Sequence, residues 1–169
     1  LGLSGWPRAA ELCLGFMGGR GEVARLAGEA FAAITGLPIA GRFEEPEPEE
    51  RDSPEDAPEE ELLAGIEAEL PAPDADEVAA WWRESSGRLD PGIRYVHGRP
   101  FGAETLVESF VAGTMRRRHA LGRELLVRSH GAYAPDTRGW AREQLRFQAG
   151  RRLVARAEFA HPFSRMLRP

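Results

Sequence analysis

The sequence has one cysteine, no lysine and no hydrophobic run longer than a few residues. Cys13 alone cannot form an internal disulfide or a cysteine-rich metal site, and cysteine outside disulfides is usually buried like a small apolar residue. Spanning a bilayer takes about 20 consecutive apolar residues, and no basic segment precedes an apolar one as in a signal peptide. We therefore expect a globular chain without disulfides and without a membrane partner.

Motifs for metals and phosphates are also missing. The histidines lie at positions 97, 119, 130 and 161, without the HExxH spacing and without a cysteine pair, so zinc ligands do not occur at recognisable intervals. The glycine-rich run at 18–21 lacks the preceding strand and the lysine of a phosphate-binding loop. We expect this run to be a turn, and we expect no bound metal or cofactor.

Candidate catalytic residues are equally weak. Ser129 and His130 are only neighbours in sequence, whereas nucleophilic catalysis needs a serine or cysteine positioned by a base. Glu104, Glu108 and Glu124 could form a carboxylate cluster, but carboxylates at helical spacing usually lie on a solvated face. The sequence therefore predicts a protein that is not an enzyme.

Length and charge suit a compact chain of modest size. Its 169 residues are 42% apolar and carry a formal net charge of -5, which fits one ordinary domain or two small ones. The chain opens at Leu1 in apolar sequence without an initiator methionine, so we expect a fragment of a longer protein and take the cytoplasm as the default localisation. All 22 basic residues are arginine, so arginine abundance alone does not indicate phosphate binding.

Residues 4–36 predict a helical hairpin. Ser4 is placed to cap the first helix, and Pro7 suits its first turn. Apolar residues recur at helical spacing, at Ala9, Leu12, Cys13, Phe16 and Met17 in the first helix and at Val23, Leu26, Ala27, Ala30, Phe31 and Ile34 in the second. Gly36 is placed to end the second helix in a left-handed conformation. Two short apolar helices cannot hide both faces from water, so we expect the pair to stack on a neighbour as a repeat does.

The stretch 44–61, EEPEPEERDSPEDAPEEE, is acidic and rich in proline. Between Glu44 and Glu69 the chain has 13 acidic residues and one arginine. Such self-repelling sequence cannot bury a core, so we expect a mobile linker over 44–73 that separates two helical bodies. Two interpretations stay open, a solvated tether and an acidic mimic of nucleic-acid phosphate that occupies a basic cleft.

After the acidic stretch the helical pattern resumes. Asp74 followed by Glu77 predicts a capped helix start, and Val78, Trp81 and Trp82 then share one helical face. The two tryptophans are either core anchors or anchors for a partner, because tryptophan is common in both settings.

The C-terminal part is rich in arginine. Helices are predicted over 103–112, from Thr114 to about His130, and from Asp136 onward. Between positions 116 and 156 we count eleven arginines and three acidic residues. These arginines could bind phosphate, bind protein or only keep the helices soluble. The overall acidity, the attached acidic stretch and the lack of a nucleic-acid-binding motif disfavour nucleic acid as the partner.

The run GWPRAAELCLGFMG followed by EVARLAGEAFAAITG resembles a terminal HEAT-type repeat, in which antiparallel helix pairs stack into a solenoid. The order of hairpin, acidic linker, WWRESSGRLDPGIRYVHGRPF and arginine-rich helices is similar to that of a poorly characterised group of proteobacterial HEAT-like proteins. Some members of this group are associated with type VI secretion and its toxin–immunity pairs. The resemblance implies an immunity protein that neutralises a secreted antibacterial toxin in a stoichiometric complex. The alternative is a non-catalytic scaffold or an effector adaptor of a secretion system.

The sequence thus predicts an all-α protein that acts by binding protein. We expect a HEAT-like hairpin at 1–43, the acidic linker at 44–73 and a C-terminal helical domain at 74–169. Arginine, tryptophan and tyrosine often dominate protein interfaces, and all three occur together in the C-terminal helices. The expected partner-binding residues are therefore Arg117, Arg118, Tyr133, Trp140 and Arg142.

Overall fold

The computed structural model describes residues 1–19, 21–46, 69–139 and 142. This part of the chain is mainly helical, which confirms the helical class. Its α-helices are α1 (Pro7–Met17), α2 (Glu22–Thr35), α3 (Ala75–Ser85), α4 (Ala103–Ala112) and α5 (Met115–Arg128), and a very small sheet contains β1 (Tyr95–Val96) and β2 (Arg99–Pro100). The chain divides into two compact units, Leu1–Gly98 and Arg99–Pro169.

The predicted hairpin at the start of the chain is present as α1 and α2, but α1 begins later than expected. Trp6 is its N-cap and Pro7 is its first residue, so the proline is where its missing N–H costs nothing. Ser4 does not cap the helix as predicted. Its hydroxyl oxygen instead accepts a hydrogen bond from the backbone N–H of Trp6 at 3.4 Å, because the Gly5 turn places the serine outside the helix.

The core of the first unit forms where α3 packs on the hairpin. The Phe31 ring meets Trp82 edge-on with ring centroids 5.5 Å apart, and it meets Trp81 at 6.0 Å. Trp82 and Val78 are buried with Phe31, Ile34 and Cys13 in one cluster. Of the two interpretations of the tryptophan pair, the structure supports the core anchor for Trp82. Asp74 starts α3 as predicted, because its carboxylate accepts the N–H groups of Asp76 and Glu77 at 3.1 and 3.0 Å.

The two ends of the predicted linker, 44–73, lie side by side. Glu44 and Pro73 form an antiparallel bridge. The N–H of Glu45 donates to the carbonyl of Ala72 at 2.9 Å, and the N–H of Asp74 donates to the carbonyl of Phe43 at 2.9 Å. Residues 43–45 and 72–74 are therefore neighbours within the first unit. The middle of the predicted mobile linker, 47–68, lies outside the described residues.

This arrangement differs from the division predicted from the sequence. That division puts α3 in a C-terminal domain beyond a linker between two bodies, whereas α3 packs on α1 and α2 inside the first unit. The boundary between the two units falls at Gly98 and Arg99 instead. The reason is long-range packing: burying the Trp82 side chain against Phe31 returns the chain to the hairpin.

A second long-range contact closes the end of α2. Gly36 ends the helix with φ 78°, the left-handed conformation that was predicted. The turn at His97 and Gly98 folds against this end, and their N–H groups donate to the carbonyls of Ala33 and Ile34 at 2.8 and 2.9 Å. A β-carbon on Gly36 would lie 2.6 Å from the His97 carbonyl oxygen. Only glycine allows both the helix end and the close approach of this turn.

The apolar stripe predicted for the hairpin is only partly buried. Ala9, Cys13 and Met17 are in the core, but Leu12 and Phe16 are 54% and 51% exposed. On α2, Val23 and Leu26 are exposed too. These four residues of the predicted stripe are left exposed because the stripe is wider than the surface that the rest of the described first unit covers. Whether a neighbouring repeat covers them, as a HEAT-like arrangement requires, stays a prediction.

The second unit is built on α4 and α5. Their buried cluster contains Ala103, Leu106, Phe110, Leu121 and Leu125. α4 ends at Gly113 as predicted, and the Gly113 N–H donates to the Ser109 carbonyl at 2.9 Å. Thr114 occupies the predicted N-cap position of α5 without a side-chain capping bond. The helix predicted from Asp136 onward falls almost wholly on residues outside those described.

Two glycine substitutions test the account of the α2 end. We expect Gly36→Ala to destabilise the protein by more than the 1–2 kcal/mol or so that a left-handed alanine costs, because the new methyl group also meets the His97 carbonyl. The matched control is Gly15→Ala inside α1, where an added β-carbon meets nothing within 4 Å. This control should stabilise by up to about 1 kcal/mol. Urea unfolding measures both, and similar effects of the two substitutions would contradict the account.

Candidate functional site

Two of the predicted partner-binding arginines stand near the start of α5 and are largely enclosed. Arg117 is only 9% exposed. Arg118 is half-buried, and its guanidinium donates to the Val111 carbonyl at 2.9 Å and approaches the Met115 sulfur at 3.8 Å. Much of the surface of both side chains is therefore buried inside the second unit. Their role in binding a partner stays a prediction.

The other three predicted residues do not join them in one described patch. Tyr133 is half-buried and packs on the α4–α5 core, and its N–H donates to the Ser129 hydroxyl at 2.9 Å. Trp140 lies outside the described residues. Arg142 is exposed. Sequence reasoning chose these residues by type, and residue type alone does not tell which side of a helix reaches the surface.

The largest of the almost fully buried side chains in the described part belongs to an arginine that is not among the five predicted partner-binding residues. Arg128 is 1% exposed, and its Nε donates to Glu124 Oε1 at 2.9 Å. Its guanidinium also lies over the Phe101 ring, 4.6 Å from the centroid. The only sequence signal for this pair is the i, i+4 spacing of Glu124 and Arg128. The pair and the ring contact fix the last turn of α5 against the start of α4.

A pocket of about 480 Å³ lies between α5 and the loop that follows it. Three arginines line it: Arg116 and Arg123 on α5, and Arg138 on the loop. The remaining lining residues are His119, Ala120, Gly122, Leu126, Ala134, Pro135, Asp136 and Thr137. Arginines 116, 123 and 138 are all exposed, unlike Arg117 and Arg118. Three exposed arginines of this unit's described part therefore meet at one pocket.

The loop is held against α5 by a glycine and a hydrogen bond. A β-carbon on Gly122 would lie 3.1 Å from the Thr137 methyl group and 3.2 Å from Pro135 Cγ, so glycine permits this close approach. His119 Nδ1 lies 2.6 Å from Thr137 Oγ1. Asp136 Oδ1 accepts the N–H groups of Arg138 and Gly139 at 2.9 and 3.0 Å, which fixes the turn carrying Arg138. The sequence signal for this contact was a glycine inside a helical pattern. Such a glycine costs the helix about 1 kcal/mol relative to alanine, so its presence indicates close packing at that position.

A second surface lies at the turn end of the α1–α2 hairpin. Its exposed apolar side chains are Leu12 and Phe16, one helical turn apart near the end of α1, and Val23 and Leu26 near the start of α2. Exposed single apolar residues are common on proteins, whereas contiguous exposed apolar patches mark interaction sites more often. We call these four residues the hairpin face.

The described residues offer little for metal or membrane chemistry. Among them, no group of three or more histidine, cysteine, aspartate or glutamate side chains is arranged to hold a metal ion. None of the helices in the same ranges combines the length and the apolar character needed to cross a membrane.

Comparison with known proteins adds no family. Neither protein-family models, nor curated proteins, nor solved structures match this chain. The resemblance to HEAT-like proteins therefore rests on the sequence pattern alone.

The buried pair of Arg128 and Glu124 can be tested against an exposed pair of the same type. Glu124→Gln removes the charge facing a buried guanidinium, so we expect a loss of about 3 kcal/mol or more in unfolding free energy. Arg99 and Glu108 form an ion pair whose side chains are about half exposed, and Glu108→Gln should cost no more than ~1 kcal/mol. Urea unfolding followed by circular dichroism compares the two variants. Equal losses would show that burial does not set the strength of the first pair.

Proposed function

We propose that this chain is a non-catalytic protein-binding module that contacts its partner through the hairpin face. The observation that carries the proposal is the exposure of Leu12, Phe16, Val23 and Leu26 on a pair of helices whose opposite sides are well packed. Covering such side chains releases about 25 cal/mol for each Å² of apolar surface removed from water. Among the described residues, α3 packs on the other side of the hairpin, and we assign the burial of these four side chains to a partner.

Charge favours a basic partner. The chain carries a net charge of -5, and the acidic stretch between Glu44 and Glu69 has 13 acidic residues. The ends of this stretch are paired inside the same unit that carries the hairpin face. A polyanion attached to the unit that makes the contact would raise the encounter rate with a basic protein.

The specific role that we propose is that of an immunity protein which neutralises a secreted antibacterial toxin, as the resemblance to HEAT-like proteins of type VI secretion loci implies. The runner-up is a scaffold or an effector adaptor of a secretion system. Both bind protein without catalysis, and they differ in what binding does to the partner. An immunity protein inhibits its toxin at a one-to-one ratio with nanomolar affinity or better, whereas an adaptor binds without inhibiting.

The neighbouring gene supplies the test of this role. If the adjacent gene encodes a toxin, its purified product should lose activity when one equivalent of this chain is added, and co-expression should restore growth of cells that make the toxin. A complex that forms without loss of toxin activity would favour the adaptor. Absence of any complex with the neighbouring product would contradict both roles at this locus.

The hairpin face can be tested by charge insertion. We expect Phe16→Glu and Leu26→Glu each to raise the dissociation constant of that complex by about 30-fold, the equivalent of ~2 kcal/mol for a central interface residue. Ile93→Glu is the matched control, because Ile93 is also an exposed apolar residue of the same unit and belongs to neither α1 nor α2. Calorimetry gives the affinities, and circular dichroism confirms the fold. If Arg117→Glu and Arg118→Glu weaken binding while the hairpin variants do not, the contact lies on α5 instead.

The acidic stretch should act on the rate of association. Because Glu45 and Ala72 are hydrogen bonded, residues 47–68 can be replaced by a short glycine–serine segment without separating the ends. We expect this variant to associate more slowly and with a flatter salt dependence, while its dissociation rate stays the same. Surface binding at two salt concentrations measures both rates. A large rise in the dissociation rate would mean that the stretch itself contacts the partner.

A further inference from the structure

We propose that the pocket between α5 and the loop at 134–138 binds a small organic phosphate monoester. The proposal is independent of the protein-binding function, because the pocket lies in the second unit and the hairpin face lies in the first. It rests on the charge, the shape and the rigidity of the pocket.

The charge of the pocket suits a dianion. Three arginines and one aspartate line it, so that positive side chains outnumber the negative one. The Asp136 carboxylate already accepts two backbone N–H groups, so its charge serves the turn that carries Arg138. Guanidinium groups bind phosphate oxygens through paired hydrogen bonds, which gives arginine an advantage at phosphate sites. A phosphate monoester carries close to two negative charges near neutral pH, whereas a carboxylate carries one.

The position of Arg116 strengthens this argument. Arg116 lies in the first turn of α5, which also contains Arg117 and Arg118 and has no acidic residue. Positive side chains at a helix N-terminus oppose the helix dipole by about 0.3–1 kcal/mol each. An anion bound beside Arg116 relieves this repulsion, because it is attracted both by the arginine and by the positive end of the dipole.

The size and the lining of the pocket indicate an organic body on the phosphate. Its volume of about 480 Å³ is within the range of small-molecule sites and far exceeds that of a bare phosphate ion. Four apolar residues, Ala120, Leu126, Ala134 and Pro135, share the lining with the arginines. A ligand with a charged head and a compact apolar body uses both kinds of surface.

The pocket is held in shape before a ligand arrives. The close approach of Thr137 and Pro135 to Gly122, and the contact between His119 and Thr137, tie the loop to α5. Preformed sites bind more tightly because less order has to be imposed on binding. Gly122 is thus a positioning residue for this site.

Calorimetric titration of the full chain at about pH 8 and constant ionic strength tests the proposal with phenyl phosphate, inorganic phosphate and phenol. We expect phenyl phosphate to bind at least about 10-fold more tightly than inorganic phosphate, since burying its ring adds apolar surface, and phenol not to bind measurably. Equal affinity for the two phosphates would contradict the claim that the ligand carries an organic group. Failure of phenyl phosphate to bind at about 10 mM would contradict the claim that the pocket is a binding site.

Variants locate the site and distinguish the residues that bind the phosphate from those that bind the organic group. Arg123→Gln should weaken both phosphates by about 10-fold or more, as expected for the loss of a charged hydrogen bond. Leu126→Ala should weaken phenyl phosphate alone. Gly122→Ala should also weaken phenyl phosphate, since its methyl group displaces the loop. Arg88→Gln is the control, because Arg88 is an exposed arginine of the other unit, and it should have no effect.

Two further outcomes would overturn the proposal. If Arg88→Gln weakens phosphate binding as much as Arg123→Gln does, the anion binds to arginines in general and not to the pocket. If a single-stranded oligonucleotide binds more tightly than phenyl phosphate and loses affinity in Arg123→Gln, the surface belongs to a nucleic-acid partner.

Discussion

The packing of Phe31 against Trp81 and Trp82 is the interaction on which the first unit depends. It returns the chain to the hairpin after an acidic stretch that cannot itself bury a core, and it covers one side of α1 and α2. The pairing of Glu44 with Pro73 follows from this return, because both ends of the stretch are then fixed to the same unit. The same packing leaves the four residues of the hairpin face exposed.

Local signals in the sequence predicted local features well. The glycine break between α1 and α2, the left-handed Gly36, the Asp74 cap and the end of α4 at Gly113 each depend on a few neighbouring residues. Contacts between distant residues were not predictable in this way. The return of α3 to the hairpin, the burial of Arg117 and Arg128 and the exposure of Leu12 all depend on which faces meet after folding. Helical spacing gives the width of an apolar stripe but not the part of it that another helix will cover.

The two candidate surfaces differ in their chemistry. The hairpin face offers large apolar side chains in the unit that also contains Glu44 and Glu45, at the start of the acidic stretch, which suits a basic protein. The pocket on α5 offers arginines together with a few apolar residues, which suits a compact anion. Of the arginines that sequence reasoning chose, Arg117 and Arg118 are largely enclosed in the second unit, whereas Arg142 is exposed, as are the pocket residues Arg116 and Arg123. The charged residues of a helix therefore have to be separated into buried and exposed ones before they are assigned to a partner.

Amide hydrogen exchange of the chain, alone and in complex with the protein product of the neighbouring gene, tests the central claim most directly. Binding through the hairpin face predicts slower exchange in the last turns of α1 and the first turns of α2, around residues 12–17 and 22–27, with little change in α5. Slower exchange confined to residues 115–138, with the hairpin unchanged, would contradict the account and would assign the contact to the arginine-rich unit.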